Sequence, residues 1–139
     1  MRSPNDYSHL EHLKMLQGVI SRMAQNSFLL KGWSVTLAAG LLAAAISDKQ
    51  IYAALALFPT LVFWGLDAYY LQQERLFRAL YDAVAAETGA PASPYSLDTR
   101  PHAQRAGSWL WTCGAPTVAG LHGAIIVVIF IVLKAASTR

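Results

Sequence analysis

Residues 106–133 read AGSWLWTCGAPTVAGLHGAIIVVIFIVL, twenty-eight positions without a charged side chain and with one histidine, His122. About 20 apolar residues carry a helix across the hydrocarbon core of a bilayer, so this run is long enough to span alone. Two runs upstream have the same character. The first is Gly32 to Ser47, extended by Phe28-Leu29-Leu30 across Lys31. The second is Gln50 to Leu66, which continues past Asp67 through Ala68-Tyr69-Tyr70-Leu71. Each spans if it tolerates one charge near an end. Only Ser47-Asp48-Lys49-Gln50 separates them, a polar turn too short for anything but a tight helical hairpin. The expected fold is an all-α membrane protein with three transmembrane helices, the first two a tight hairpin with long cytoplasmic helical extensions.

Composition agrees with that distribution. Of 139 residues 55% are apolar and 14% charged, with a mean hydropathy of +0.34; soluble proteins carry roughly a quarter charged residues. A chain this short cannot hide so much apolar surface in a water-soluble core, because small domains bury proportionally less. A soluble enzyme, a disordered tail and a disulfide scaffold are therefore excluded. The one cysteine, Cys113, permits neither an intramolecular disulfide nor a cysteine-based zinc site. The pI is 9.2, but the net charge of +3 is too small to point to nucleic acid as a partner. Membrane lipid is the expected surrounding.

The distribution of basic residues sets the orientation. Arg2, Lys14, Arg22 and Lys31 precede span one, and Arg75, Arg78, Arg100 and Arg105 lie between spans two and three. Lys49, Lys134 and Arg139 are on the opposite side. Eight against three puts the N-terminus and the long loop in the cytoplasm, with the C-terminus outside. Ala45 and Ser47 resemble a signal-peptide cleavage site, but the polar and amphipathic stretch before the run is far longer than an ordinary n-region.

The boundaries expected are a cytoplasmic amphipathic helix at 4–26, span one at 27–47, span two at 50–73 with an extension over 74–87, a cytoplasmic loop at 88–105, and span three at 107–133. Ser3-Pro4-Asn5-Asp6 supplies a helix start, and Leu10, Leu13, Leu16, Ile20 and Met23 form an apolar stripe. No breaker separates this helix from span one. Leu76, Leu80 and Val84 carry span two onward, until Thr88-Gly89-Ala90-Pro91 stops it. Pro59 is expected to bend span two, and Pro116 to kink span three.

If the turn centres near residue 49, positions at equal depth have numbers that add to about 98, as Lys31 and Asp67 do; at the helical rise both lie about 27 Å from the outer turn. An intramembrane charge is costly unless paired or snorkelling. The pair reads either as a gate or ion-path element, or as a lock on the hairpin register, or as two side chains reaching separately for headgroups. The same depth rule brings Arg22 near Arg75 and Arg78. Glu74 and Asp82 flank Arg78 at helical spacing and would pair with it. This group is either a salt-bridged solvated face or, repeated around an oligomer, a basic collar for a phosphate-bearing signal or an acidic partner.

Gly32, Thr36, Gly40 and Ala44 recur every four residues along span one, and Gly120 and Ala124 form a second small patch in span three. Small-residue stripes let helices approach closely in lipid, and with only three spans they point to a homo-oligomer. Gly65 is expected against Trp33 or Gly32. Trp33, Trp64, Tyr69, Tyr70, Trp109 and Trp111 read as an interfacial aromatic belt. His9 and His12 are one turn apart but lack a third ligand, so no metal and no cofactor is expected. His122 reads as bonding a neighbouring helix or lining a wet cavity, and Cys113 as packing. There is no phosphate loop, nucleophile turn or paired-carboxylate cleft, which argues against an enzyme.

The segments SRMAQNSFLLKGW (21–33) and FWGLDAYYLQQERLFR (63–78) resemble a family of small bacterial inner-membrane proteins whose biochemical activity is unsettled. The similarity covers about half of the chain. In layout alone, the chain is similar to the small transmembrane effectors of anti-phage defence systems. The expected function is an oligomeric inner-membrane protein, pore-forming or depolarising, controlled from the cytoplasmic side by a nucleotide signal or a protein. The alternative is a non-conducting membrane anchor that recruits a cytosolic partner. A minimal transporter is the weakest reading, since the midplane offers only Thr36, Thr60 and His122 as polar groups.

Overall fold

A computed structural model describes residues 4–46, 50–87 and 95–137. The hairpin turn expected at 47–49 and the stop expected at 88–91 lie outside the described residues. The chain is helical, with no strand among the described residues: α1 (Pro4–Ile46), α2 (Gln50–Leu55), α3 (Leu57–Ala86), a 3-10 turn (Arg100–His102), α4 (Ala103–Ala106), α5 (Trp109–Cys113) and α6 (Pro116–Ser137). Three stretches are long and apolar enough to cross a membrane: Tyr7–Ala45, Ile51–Ala86 and Pro116–Ala136.

The 43-residue α1 runs without interruption through the amphipathic segment and the first apolar run. Nothing in residues 4–46 breaks a helix, since the only proline is Pro4, at the first helical position where its missing N–H is harmless. Along α1 the contacts to α3 run in opposite order. Leu16 packs in a buried cluster with Leu80 and Val84, and Ser27 and Lys31 meet Asp67. The Leu16 cluster lies on the half of the pair that carries Arg22, Glu74, Arg75, Arg78 and Asp82. Where such a cluster is shielded from water, fully burying a leucine is worth about 1.5–3 kcal/mol.

Two helices are shorter than their sequence suggests, and proline is the reason in both. The second apolar run is interrupted at Ala56. Pro59 has no N–H for the Leu55 carbonyl and its ring crowds that turn. Helical bonding nonetheless continues on either side, from Ala56 N–H to the Tyr52 carbonyl (3.1 Å) and from Thr60 N–H to the Ala56 carbonyl (3.4 Å). The Thr60 hydroxyl also donates to the Ala56 carbonyl at 2.8 Å. The third run, expected as one helix over 107–133, is two: α5 ends at Cys113, Gly114-Ala115 intervene, and α6 begins at Pro116. Pro116 thus starts a helix rather than kinking one.

The expected loop at 88–105 is partly folded. His12 Nε2 is 2.8 Å from the Ser96 carbonyl, and the Tyr95 ring lies 6.1 Å from the His12 ring, which docks this segment on α1. That bond occupies one of the two His12 ring nitrogens. Asp98 accepts from Arg100 at its main-chain N–H (3.0 Å) and its guanidinium (2.8 and 2.9 Å). These side-chain and main-chain bonds hold the Asp98 carboxyl down to about 2. A depressed carboxylate contributes order that is present above its unfolded value and lost as pH falls through the folded one. The 95–102 turn should therefore persist at pH 4 and loosen only towards pH 2. Arg100 amide exchange should follow that course, and Asp98→Asn should accelerate it at pH 7.

Candidate functional site: a buried charge cluster between three helices

Ser27 and Lys31 are one helical turn apart on α1, so both face α3. There Asp67 is fully buried. Its Oδ1 accepts from Lys31 Nζ at 2.7 Å and from the Ser27 hydroxyl at 2.5 Å, and Lys31 also donates to Ser27 Oγ at 2.8 Å. The three groups close a ring of charge-assisted bonds, stronger than neutral ones. The Asp67 side chain has no exposure, whereas 24% of the Lys31 side chain is accessible. The lysine thus has a route to the surface and the carboxylate has none.

The third wall is α6. His122, also fully buried, places Nδ1 3.9 Å from Asp67 Oδ2 and 3.0 Å from the Val118 carbonyl. Its ring stacks on Trp64, with centroids 6.1 Å apart and planes 16° from parallel. Trp64 is fixed by an N–H bond to the Cys113 carbonyl at 3.0 Å, so the last residue of α5 supplies the acceptor that holds the indole. Below it, Ala68, Ala115 and Val118 form a compact apolar cluster. Gly65 lies not against Trp33 or Gly32 but against Trp109, whose ring is 3.4 Å from where a Cβ would sit and whose N–H bonds the Gly65 carbonyl at 3.0 Å. Trp33 is exposed. Trp64→Phe should remove one hydrogen bond and the anchor of the stack. The expected loss is about 1 kcal/mol, read as a lowered unfolding midpoint in detergent.

No known protein family, curated protein or solved structure matches this chain. The site must therefore be read from its own chemistry. Lys31 and Asp67 are charged groups inside helices apolar enough to cross a membrane, and such groups mark paths, relays or structural locks. Ser27 is not among the residues that the sequence singles out; the signal that could find it is its place four residues before Lys31, on the same helix face.

The three collar arginines differ in their surroundings. Arg78 is bound by Glu74 (2.7 and 2.8 Å). Among the described residues no bond joins it to Asp82, the flanking acid on the next turn, and neither Arg22 nor Arg75 makes an ion pair. Arg22 is exposed. A groove of about 410 Å³ does lie between α1 and α3 at this end, lined by Gln17, Ile20, Ser21, Ala24, Arg78, Tyr81 and Asp82. With Glu74 on Arg78 and Asp82 beside it, the groove is not a basic cradle.

The small-residue stripes are uncovered. Gly32, Thr36, Gly40 and Ala44 on α1, and Gly120 and Ala124 on α6, are all exposed. A Cβ added at Gly32, Gly40 or Gly120 would meet nothing within 4 Å. Of the most apolar stretch of α1, 11% is buried against the rest of the chain, compared with 28% for the second apolar stretch. The first helix is the least covered of those two.

Proposed function

We propose that this chain is a bacterial inner-membrane protein that crosses the bilayer three times, with the first two spans as a hairpin. It acts as a homo-oligomer, and the assembly provides a regulated leak for ions across the membrane. The observation that carries this reading is the bare face of α1, where Gly32, Thr36, Gly40 and Ala44 leave room for another helix. In lipid there is no hydrophobic drive between helices, so close packing on small residues is what associates them. The Lys31–Asp67 bond acts as the closed-state lock between α1 and α3. The N-terminus and the 95–106 segment face the cytoplasm, where a signal reaches the helix ends. A nearly all-membrane chain of this size suits a depolarising effector, as in anti-phage systems.

A nucleotide or other polyanion has no basic cradle in one subunit, because Arg78 is neutralised by Glu74. Such a signal requires Arg22, Arg75 and Arg78 from adjacent subunits of a ring. The groove between α1 and α3 favours a second reading, a non-conducting anchor whose partner inserts a side chain between Gln17, Tyr81 and Asp82. Purified protein in liposomes loaded with an ion-sensitive dye separates the two. Dye response that scales with protein supports the leak. No flux under any condition, together with a stoichiometric cytosolic partner, supports the anchor.

A further inference from the structure

The edge where α3 meets the start of the third apolar run carries two arginines that pair with no acid among the described residues. Two bonds set the register there. Gln72 Nε2 donates to the Gly107 carbonyl at 3.0 Å, and Trp109 Nε1 donates to the Gly65 carbonyl at 3.0 Å. The segments therefore run antiparallel, and α4 packs on α3. Continued towards the N-terminal end of α4, this register puts Arg105 level with Arg75, which shares a helix face with Gln72. The acids beside them in sequence are taken, Glu74 by Arg78 and Asp98 by Arg100. Arg105 is exposed and Arg75 half-buried.

Next to the arginines lies an apolar face that the chain leaves open. Leu110 is 74% and Trp111 78% exposed. The Trp111 ring comes within 3.7 Å of where a Cβ would sit on Gly107, so the indole belongs to the same turn that Gln72 holds. Depth supports one surrounding for both features. Arg75 stands about 38 Å along the helix from Gln50, the first residue of α2. A bilayer with its polar layers is about 40–45 Å thick, of which about 30 Å is hydrocarbon. The arginines thus fall in the inner headgroup layer, and Leu110 and Trp111 at the edge of the hydrocarbon. This placement rests on the three-span topology proposed above and not on the leak.

We propose that Arg75, Arg105 and the open face of α5 form a site for an anionic phospholipid of the cytoplasmic leaflet. The lipid phosphate takes the two guanidinium groups, whose forked donors match paired phosphate oxygens. The first part of an acyl chain covers Leu110 and Trp111. Two arginines are too few for a polyanion but fit one headgroup. A zwitterionic headgroup brings its own cation to the pair and binds less well. Because Gln72 and Trp109 fix the same turn to α3, the bound lipid anchors the third span at its cytoplasmic start.

Native mass spectrometry of the full-length protein in detergent tests the site, with phosphatidylglycerol and phosphatidylcholine of the same acyl chains as probes. The wild type should prefer phosphatidylglycerol. Arg75→Gln and Arg105→Gln should each weaken it about fivefold, the worth of one basic side chain at an anionic surface, and leave phosphatidylcholine unchanged. Arg105→Lys should bind nearer to the wild type than Arg105→Gln does. Trp111→Ala should weaken both lipids alike. If Arg75→Gln does not fold, Arg105→Gln, at the surface, decides. Equal binding of the two lipids, or a loss in Arg22→Gln as large as in Arg105→Gln, overturns the proposal. So does full competition by free glycerol phosphate, which would assign the arginines to a soluble phosphate. The topology is tested apart from the lipid: a membrane-impermeant maleimide should label Gln104→Cys, made in Cys113→Ser, from the cytoplasmic face alone. Label from the outer face removes the three-span orientation, whereas cytoplasmic label without a lipid preference removes only the lipid site.

Discussion

Lys31→Met should destabilise the protein by about 3–5 kcal/mol, the cost of removing one partner from a buried ion pair, and Asp67→Asn should cost less. The two sides of the pair are not equivalent. Asp67 is wholly enclosed, so without the ammonium its charge is left with the Ser27 hydroxyl as its one bonding partner. Lys31 is 24% accessible on its side chain and can carry its charge to the surface on a flexible stem. Asparagine also keeps an oxygen for both α1 donors, so the Asp67→Asn loss should be about 1–2 kcal/mol. Unfolding in mixed detergent at pH 8, where imidazoles are ordinarily neutral, measures both. Equal losses, or a larger one for Asp67→Asn, would contradict the enclosure of the carboxylate.

The second large effect is on assembly. Gly40→Leu should leave the subunit folded, because a side chain there enters open space and leucine is the better helix former by up to about 1 kcal/mol. The same change should remove the room that a neighbouring helix requires, and the assembly should fall to smaller species. Ala38→Leu supplies the contrast. Ala38 is 3% exposed, so the larger side chain meets its own subunit, and overpacking of about 1–3 kcal/mol should appear as lost stability. If Gly40→Leu assembles like the wild type, the α1 stripe is a lipid-facing surface and not an interface.

Some of this arrangement is legible in the sequence. The apolar runs identify the three helices by length and charge alone, and Lys31 and Asp67 stand at matching distances from the short polar turn. Helical spacing makes the Arg78–Glu74 bond equally plain. What could not be read depends on rotation about helix axes and on the third helix. Depth matches Arg22 to Arg75 and Arg78, but it does not show that Arg22 is exposed. Asp82 has the same spacing to Arg78 as Glu74 does, and only one of them bonds it. Trp109 reaches Gly65 because α5 is a separate turn before Pro116, a break hidden by uniform hydropathy. His122 is conspicuous as the one histidine in its run, yet its stacking on Trp64 needs the angle between α3 and α6, which no spacing gives.

The most direct test of the central claim is the mass of the purified protein in nanodiscs, taken together with ion flux in liposomes from the same preparation. A closed ring of about four or more subunits with flux that Gly40→Leu removes is the predicted result. A monomer or simple dimer, stable across lipids and detergents and without flux, would contradict the regulated leak, because three helices from one chain cannot enclose an open path.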